Sequence, residues 1–196
     1  MTSIRFVISA LLVAIFLLIL ATYDTASMQQ LDEAASSLLF GNELVILFHY
    51  LGETIFVVAL GIVIMLYFIV TKNYKEALFT FATIFVGYGI NQATKFLVER
   101  PRPDIADQLT SYSFPSGHTM ASMFWLVTLV FLATYAKKRS AAVVVLWVLA
   151  IAVAMLTGLS RVAESRHFFT DVLAGWALAW AWLLVCIELF LRKKAA

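Results

Sequence analysis

Charged residues are scarce in this sequence. Asp, Glu, Lys and Arg make up 13% of its 196 residues, about half of their share in typical soluble domains. Hydrophobic residues make up 63%, and the mean hydropathy is +0.93. A soluble fold has no need of so much apolar surface. We therefore expect a single domain, residues 1–196, that is integral to a membrane.

Cysteine is nearly absent as well. The single Cys186 lies inside an apolar run, which excludes an internal disulfide and a zinc site built from cysteines. We expect it to act as a small hydrophobic side chain. The sequence also has no internal repeat, low-complexity tract or soluble linker, so nothing in it predicts a second domain.

Apolar runs long enough to cross a bilayer occur six times. A helix is expected for each run, because lipid offers no partner for free backbone N–H and C=O groups. The predicted spans are residues 4–21, 44–70, 77–98, 119–136, 141–159 and 168–191. The first run could instead be a cleaved signal peptide, but no clean Ala-x-Ala site follows it. The fold class expected is therefore all-α, a bundle of six transmembrane helices.

Lysine and arginine are distributed unevenly over the two sides of this six-span arrangement. One side carries nine of the 14: Arg5, Lys72, Lys75, Lys137, Lys138, Arg139, Arg192, Lys193 and Lys194. By the positive-inside rule this side is cytoplasmic, with both termini inside the cell. The other five lie on the extracytoplasmic side, and topology does not explain them: Lys95, Arg100, Arg102, Arg161 and Arg166.

A further outer segment, residues 25–42, reads TASMQQLDEAASSLLFGN. Its apolar residues recur at helical spacing, and no basic residue accompanies them. They are Met28, Leu31, Ala35, Leu38 and Leu39. This pattern predicts an amphipathic helix on the outer membrane surface.

Three polar stretches lie at the outer ends of the predicted spans. They are KFLVERPRP (95–103), SFPSGHT (113–119) and SRVAESRHFFTD (160–171). Several Lys and Arg side chains that converge at a membrane surface favour an anion, and a phosphate matches both their charge and their geometry. Ser116 and Gly117 can begin the fourth span, so that its first N–H groups and helix dipole face the same anion.

The histidines of these stretches predict the chemistry. His167 and Asp171 are four residues apart and share a helical face. The carboxylate can hold one ring nitrogen and leave the other as a nucleophile. His118, on a different helix, can protonate a leaving oxygen.

Several single residues allow other interpretations. Taken alone, Arg100 is expected to reach a lipid headgroup at the membrane surface. His49 and Glu53 share a face and are expected to pair inside the bundle, and Asn91 to form hydrogen bonds there or to orient Lys95. A metal held by His118, His167 and Asp171 is the main alternative, but five nearby cations oppose it.

The three stretches resemble the three motifs of the type 2 phosphatidic acid phosphatase superfamily, K-x6-R-P, P-S-G-H and S-R-x5-H-x3-D. Here they run from Lys95 to Arg102-Pro103, from Pro115 to His118, and from Ser160-Arg161 through His167 to Asp171. All spacings hold, and the motif-bearing core covers about residues 44–190. The size of the chain is similar to that of the bacterial branch of membrane lipid phosphatases.

This resemblance implies a role for each motif residue. His167 is the expected nucleophile, Asp171 its orienting group and His118 the general acid. The phosphate-binding residues expected are Lys95, Arg102, Ser116, Gly117 and Arg161. The family is independent of metals, so no metal or cofactor is expected.

Residues 163–166, Ala-Glu-Ser-Arg, depart from the uncharged stretch that often precedes the nucleophile in this family. Arg166 is predicted either to contact a substrate headgroup, together with Glu164, or to pair with Glu164 or a lipid. The expected substrate is phosphatidylglycerophosphate, phosphatidic acid or undecaprenyl pyrophosphate, within the bilayer and with no nucleic-acid partner. No oligomeric state is predicted. A lipid phosphotransferase is the alternative enzyme. A transporter would need polar residues through the midplane, where the runs are apolar.

Overall fold

The computed structural model describes residues 4–192, and every regular element in that range is helical. The α-helices are α1 (Ile4–Thr22), α2 (Ala26–Leu39), α3 (Glu43–Ile46), α4 (Thr54–Val70), α5 (Tyr74–Thr80), α6 (Gly87–Val98), α7 (Gly117–Thr134), α8 (Ala141–Ala163) and α9 (Phe169–Arg192). A 3-10 helix (Leu47–Gly52) joins α3 to α4, and a π-helix (Phe81–Val86) joins α5 to α6. The predicted all-α class is confirmed. Lys193 and Lys194 of the predicted cytoplasmic set lie outside the described residues.

Within residues 4–192, four helices are long and apolar enough to cross a membrane: α1, α7, α8 and α9. The helical pair 26–39 and 43–52, bent by 103°, brings the number to five if it forms one broken span. The third predicted run is an unbroken helical stretch in which α5, the π-helix and α6 follow one another. These helices are those of an integral membrane protein, and the count of six spans stays a prediction.

The second predicted run, 44–70, is not one helix. It breaks at Glu53, which has an extended ψ of 128° between the 3-10 helix and α4. The break lies where the chain passes very close to α7, since a Cβ on Gly52 would lie 2.7 Å from the Cβ of His118. Glycine is thus required at this crossing, and the break carries the Glu53 side chain to the start of α7.

Helix α7 occupies the centre of the bundle. Met120, Met123, Phe124 and Val127 on this helix have at most 1% of their surface exposed. They pack with buried side chains of α4, α8 and α9 in one apolar cluster. Close packing of this kind holds helices together in lipid, where burial from water supplies no driving force between them.

The first apolar run forms α1 and packs along α9. Phe16 and Ile19 of α1 contact the small side chains of Ala174 and Ala177. The hydroxyl of Ser9 donates a hydrogen bond to the carbonyl of Ala181 at 2.9 Å. This run is therefore part of the bundle in the structure.

The predicted outer helix is present as α2, but its buried residue differs from the expected apolar face. Asp32 is the buried residue of this helix, whereas Leu38 is 82% exposed and Leu31 39%. Helix α2 packs against α8 and α9. A position at the membrane surface stays a prediction for this helix.

Candidate active site

His167 is placed by a tight turn between α8 and α9. Ser165 has a left-handed backbone conformation, with φ of 53°, and the N–H groups of both Arg166 and His167 donate to the carbonyl of Arg161 at 2.9 and 3.2 Å. The turn thereby holds the backbone of His167 against the last turn of α8. His167 is 3% exposed.

The two ring nitrogens of His167 have different partners. Its Nδ1 lies 3.2 Å from Oδ2 of Asp171, and its Nε2 lies 3.1 Å from Nη1 of Arg102. A guanidinium has donors only, so Nε2 must accept, and the ring proton therefore sits on Nδ1 and faces the carboxylate. This tautomer leaves the Nε2 lone pair available beside a cation.

The charge state of His167 follows from its surroundings. Burial above all lowers the pKa of His167 to about 3, because the hydrogen bond and charge of Asp171 oppose it only in part and the cations Arg102 and Lys95 add to it. The ring is consequently neutral at neutral pH, as a nucleophile must be.

Arg102 is held by the loop that precedes α7 and by the turn that precedes α9. Its Nε donates to the carbonyl of Ser111 at 2.6 Å, and its Nη1 donates to the carbonyl of Arg166 at 2.6 Å. Burial, followed by the charge of Arg161, lowers the pKa of Arg102 to about 10, so that it stays protonated at neutral pH. Lys95, on α6, donates to the carbonyls of Tyr112 and Ser113 in the same loop.

Ser116 and Gly117 begin α7 as predicted, with Ser116 as the residue that precedes the helix. The N–H of Ser116 donates to the carbonyl of Asp171 at 3.1 Å, which ties the start of α7 to the start of α9. A Cβ on Gly117 would lie 3.8 Å from Cε of Lys95. The predicted phosphate-binding residues of α6 and α7 are therefore close to each other.

His118 and Arg161 belong to a second group of contacts. The Nε2 of His118 lies 3.1 Å from Oε1 of Glu53, and Arg161 forms an ion pair with Glu164. Glu164 also lies 2.8 Å from Nδ1 of His49. All five residues line a cavity of about 620 Å³. His167 lines a different cavity of about 400 Å³, next to Arg100 and Asp32.

Several predictions for single residues are wrong. Glu53 pairs with His118 and not with His49, which pairs with Glu164. Arg166 does not pair with Glu164 either, since its Nη1 donates to the carbonyl of Asp107 and to Oε1 of Gln108. Asn91 behaves as expected, with a hydrogen bond to the carbonyl of Pro115 inside the bundle.

Arg100 also departs from its prediction. It is 5% exposed and cannot extend to a lipid headgroup. Its guanidinium contacts Asp171 at 2.7 Å and Asp32 at 3.2 Å. The reason is tertiary, because Asp32 arrives from α2, 68 residues earlier in the chain.

Three residues of the site had no predicted role in it. Glu53 had a signal, since a charged residue within an apolar run often marks a functional site in a membrane protein. Ser113, whose hydroxyl donates to Asp171, lay in a polar stretch without a distinct signal of its own. Asp32 had no such signal, because an acidic residue on a polar helix is ordinary.

The fold and this site together are those of a membrane phosphatase. A family model described as the PAP2 superfamily matches residues 76–195, more than half of the chain. The chain therefore belongs to the PAP2 superfamily, that is, the type 2 phosphatidic acid phosphatases. The resemblance carried by its three motifs is confirmed, and so is its assignment as a hydrolase.

Two curated relatives and one solved structure are similar to this chain. Phosphatidylglycerophosphatase B of Bacillus subtilis is 33% identical over 175 residues, which cover 83% of this chain and 85% of the relative. Phosphatidylglycerophosphatase B of Haemophilus influenzae is 40% identical over 87 residues, which cover 44% of this chain and 35% of the relative. The crystal structure of a transmembrane PAP2 type phosphatidylglycerolphosphate phosphatase from Bacillus subtilis superimposes with a TM-score of 0.81 at 28% identity, covering 96% of this chain and 97% of the other.

Proposed function

We propose that this membrane lipid phosphatase hydrolyses a lipid phosphate monoester or pyrophosphate through a phosphohistidine on His167, with no metal or cofactor. One observation carries the proposal. The Nε of Arg161 is buried and has no hydrogen-bond partner within residues 4–192. A buried donor without a partner is costly, and a phosphoryl oxygen would satisfy it.

The tautomer of His167 supports the nucleophilic role. With its proton on Nδ1 toward Asp171, the Nε2 lone pair is free to attack phosphorus once Arg102 turns to a phosphoryl oxygen. Arg102, Arg161 and Lys95 would then carry the negative charge of the equatorial oxygens. Preorganised cations in a site shielded from water contribute several kcal/mol each to such transition states.

The reaction proceeds in two balanced steps. In the first, Nε2 of His167 forms a bond to phosphorus while the bond from phosphorus to the lipid oxygen breaks. Protonated His118 gives its proton to that oxygen. In the second, water attacks phosphorus, its proton returns to His118, and the phosphorus–nitrogen bond breaks to release phosphate and neutral His167.

Glu53 has a supporting part in this scheme. Its carboxylate contacts Nε2 of His118, and a negative partner favours the protonated ring that the first step needs. A dianionic phosphate beside the ring acts in the same direction. Glu53 is therefore a positioning and charge-balancing residue for the general acid.

Phosphatidylglycerophosphate is the substrate we favour, because the similar proteins named above carry that activity in their names. Its acyl chains can remain in the bilayer while the headgroup enters the cavity beside His118 from the side. The Lys and Arg distribution supports an extracytoplasmic site with both termini in the cytoplasm.

Phosphate release from purified protein in detergent tests this function. The panel is phosphatidylglycerophosphate, phosphatidic acid and undecaprenyl pyrophosphate, each with EDTA or with vanadate, a mimic of pentacoordinate phosphorus. We expect release that EDTA leaves intact and vanadate inhibits. Loss in EDTA that zinc or magnesium restores would establish a metal enzyme instead. Recovery of the substrate's phosphate in another lipid would establish a phosphotransferase. No phosphate release from any lipid would overturn the proposal.

A further inference from the structure

Arg100 is a buried cation that joins two carboxylates from different parts of the chain. Its Nη1 donates to Oδ1 of Asp171 at 2.7 Å, and its Nη2 donates to Oδ2 of Asp32 at 3.2 Å. The guanidinium also lies over two rings, 4.4 Å from the centroid of Tyr23 and 4.1 Å from that of Phe168. A guanidinium with two carboxylate partners and two ring contacts has little freedom to move.

Asp32 also caps the start of α9. Its Oδ1 accepts from the N–H of Thr170 at 2.7 Å, and its Oδ2 accepts from the Thr170 hydroxyl at 2.9 Å. A carboxylate here satisfies a free N–H of the first helical turn and is favoured by the helix dipole. The Thr170 hydroxyl in turn accepts from Nη1 of Arg100. Helix α2 is thus fixed to the residue that directly precedes Asp171.

The two oxygens of Asp171 have separate tasks. Arg100 occupies Oδ1, while Oδ2 faces Nδ1 of His167 and accepts from the N–H of Phe168 at 3.0 Å. Asp171 has no exposed surface. Rotation of this carboxylate would break a buried ion pair, and so the contact with Arg100 holds Oδ2 toward the histidine.

We propose that Asp32 and Arg100 are positioning residues for the nucleophile, acting through Asp171. This proposal rests on the proposed function, in which His167 attacks phosphorus. Neither residue contacts Nε2 of His167, where the reaction takes place. Their effect comes from alignment, since a displacement of about 1 Å in a catalytic group can lower a rate on the order of 100-fold.

Steady-state kinetics on phosphatidylglycerophosphate provide the first test. Asp32→Asn keeps the size of the side chain but removes the charge that holds one end of Arg100. We expect kcat to fall about 10- to 100-fold, with KM changed less than about twofold, because substrate contacts remain. Glu33→Gln is the matched control, since it removes one charge from the exposed neighbouring position on α2 and should leave kcat unchanged.

The titration of His167 is a readout that a merely structural role would not move. The charged groups that face His167 are Asp171, Arg102 and Lys95, and Arg100 stands behind Asp171. In Arg100→Gln the negative charge of Asp171 is no longer partly neutralised by Arg100, so it favours protonated His167 more strongly. The pKa of His167 should therefore rise, and the acid limb of kcat/KM should move to higher pH. Nitrogen NMR of labelled histidine in detergent follows the same pKa without turnover, and His167→Asn assigns the signal among the three histidines.

These measurements separate the outcomes. Equal kcat in Asp32→Asn and Glu33→Gln, together with an unchanged His167 titration in Arg100→Gln, would overturn the positioning role. If the wild type hydrolyses no lipid phosphate, the proposed function fails, while the NMR titration still tests whether Arg100 acts on His167 through Asp171. Arg100→Lys covers the case in which Arg100→Gln does not fold. Lysine keeps the positive charge but cannot bind Asp171 and Asp32 through two separate nitrogens. We therefore expect kcat to fall while the pKa of His167 stays near its wild-type value.

Discussion

His118 is hydrogen-bonded to Glu53, a residue 65 positions earlier in the chain, with 3.1 Å between Nε2 and Oε1. The same arrangement of ring and carboxylate occurs on the other side of the proposed reaction, between His167 and Asp171. The Asp171 carboxylate is fully buried, whereas 48% of the Glu53 side chain is exposed. The proposed acid is therefore closer to solvent than the nucleophile, which suits a group that must exchange protons with water.

The Glu53–His118 contact predicts a dependence on the leaving group. His118→Ala should slow hydrolysis of an alkyl lipid phosphate by a factor on the order of 10² to 10⁴. Glu53→Gln should act in the same direction with a smaller effect. Aryl phosphates such as p-nitrophenyl phosphate release an aryl oxide that needs no protonation. The rate of their hydrolysis should fall far less. Equal losses on both substrates would argue against general acid catalysis by His118.

Replacement of His167 should stop the reaction altogether. His167→Ala removes the atom that bonds to phosphorus, and we expect no turnover from a protein that still folds and inserts. Size-exclusion profiles and thermal melting in detergent check the fold. Retention of more than a few per cent of the activity would contradict the assignment of His167 as nucleophile.

The buried neutral His167 also predicts how stability depends on pH. Its folded pKa of about 3 lies below the unfolded value of about 6.5, so between these values the unfolded chain binds more protons. The free energy of unfolding should therefore fall as the pH drops from about 6.5 toward 3. Melting temperatures at a series of pH values should show a shallower acid loss in His167→Asn than in the wild type. Parallel curves would mean that His167 is not buried in its neutral form.

Some parts of the site have local signals in the sequence, and others depend on contacts between distant residues. His167 and Asp171 were expected to meet because four residues on one helix share a face, and they do. Arg100 was assigned to the membrane surface because its partner Asp32 is distant in sequence, and no local pattern connects them. Glu53 lies within a run, 44–70, whose apolar composition predicts one continuous span, and the break there coincides with the close packing of Gly52 against α7.

The charge distribution predicts that the site faces away from the cytoplasm, and cysteine labelling can test this. Ala106 and Lys138 are both exposed and lie on opposite sides of the predicted topology. In a Cys186→Ser background, Ala106→Cys should react with an impermeant thiol reagent on intact cells or spheroplasts, and Lys138→Cys should react only after lysis. The reverse pattern would place the site in the cytoplasm.

Arg166 offers the sharpest test of substrate selectivity. It lines the cavity that contains His118 and Arg161, and its Nη1 is bound to the loop at Asp107 and Gln108. We expect a cation at this position to favour substrates with a second negative group, such as undecaprenyl pyrophosphate or phosphatidylglycerophosphate. Because Arg166 is partly exposed, screening limits the effect to about 0.5–1 kcal/mol, roughly two- to fivefold in rate.

The quantity to measure is the ratio of kcat/KM for undecaprenyl pyrophosphate to kcat/KM for phosphatidic acid. This ratio should fall roughly two- to fivefold in Arg166→Gln, and the wild-type preference should weaken with added salt. Arg166→Lys keeps the charge and should keep the ratio. Gln108→Ala loosens the same loop without a change in charge, so it separates the two effects. A ratio that falls in Gln108→Ala but not in Arg166→Gln would assign Arg166 to the loop and remove it from substrate selection.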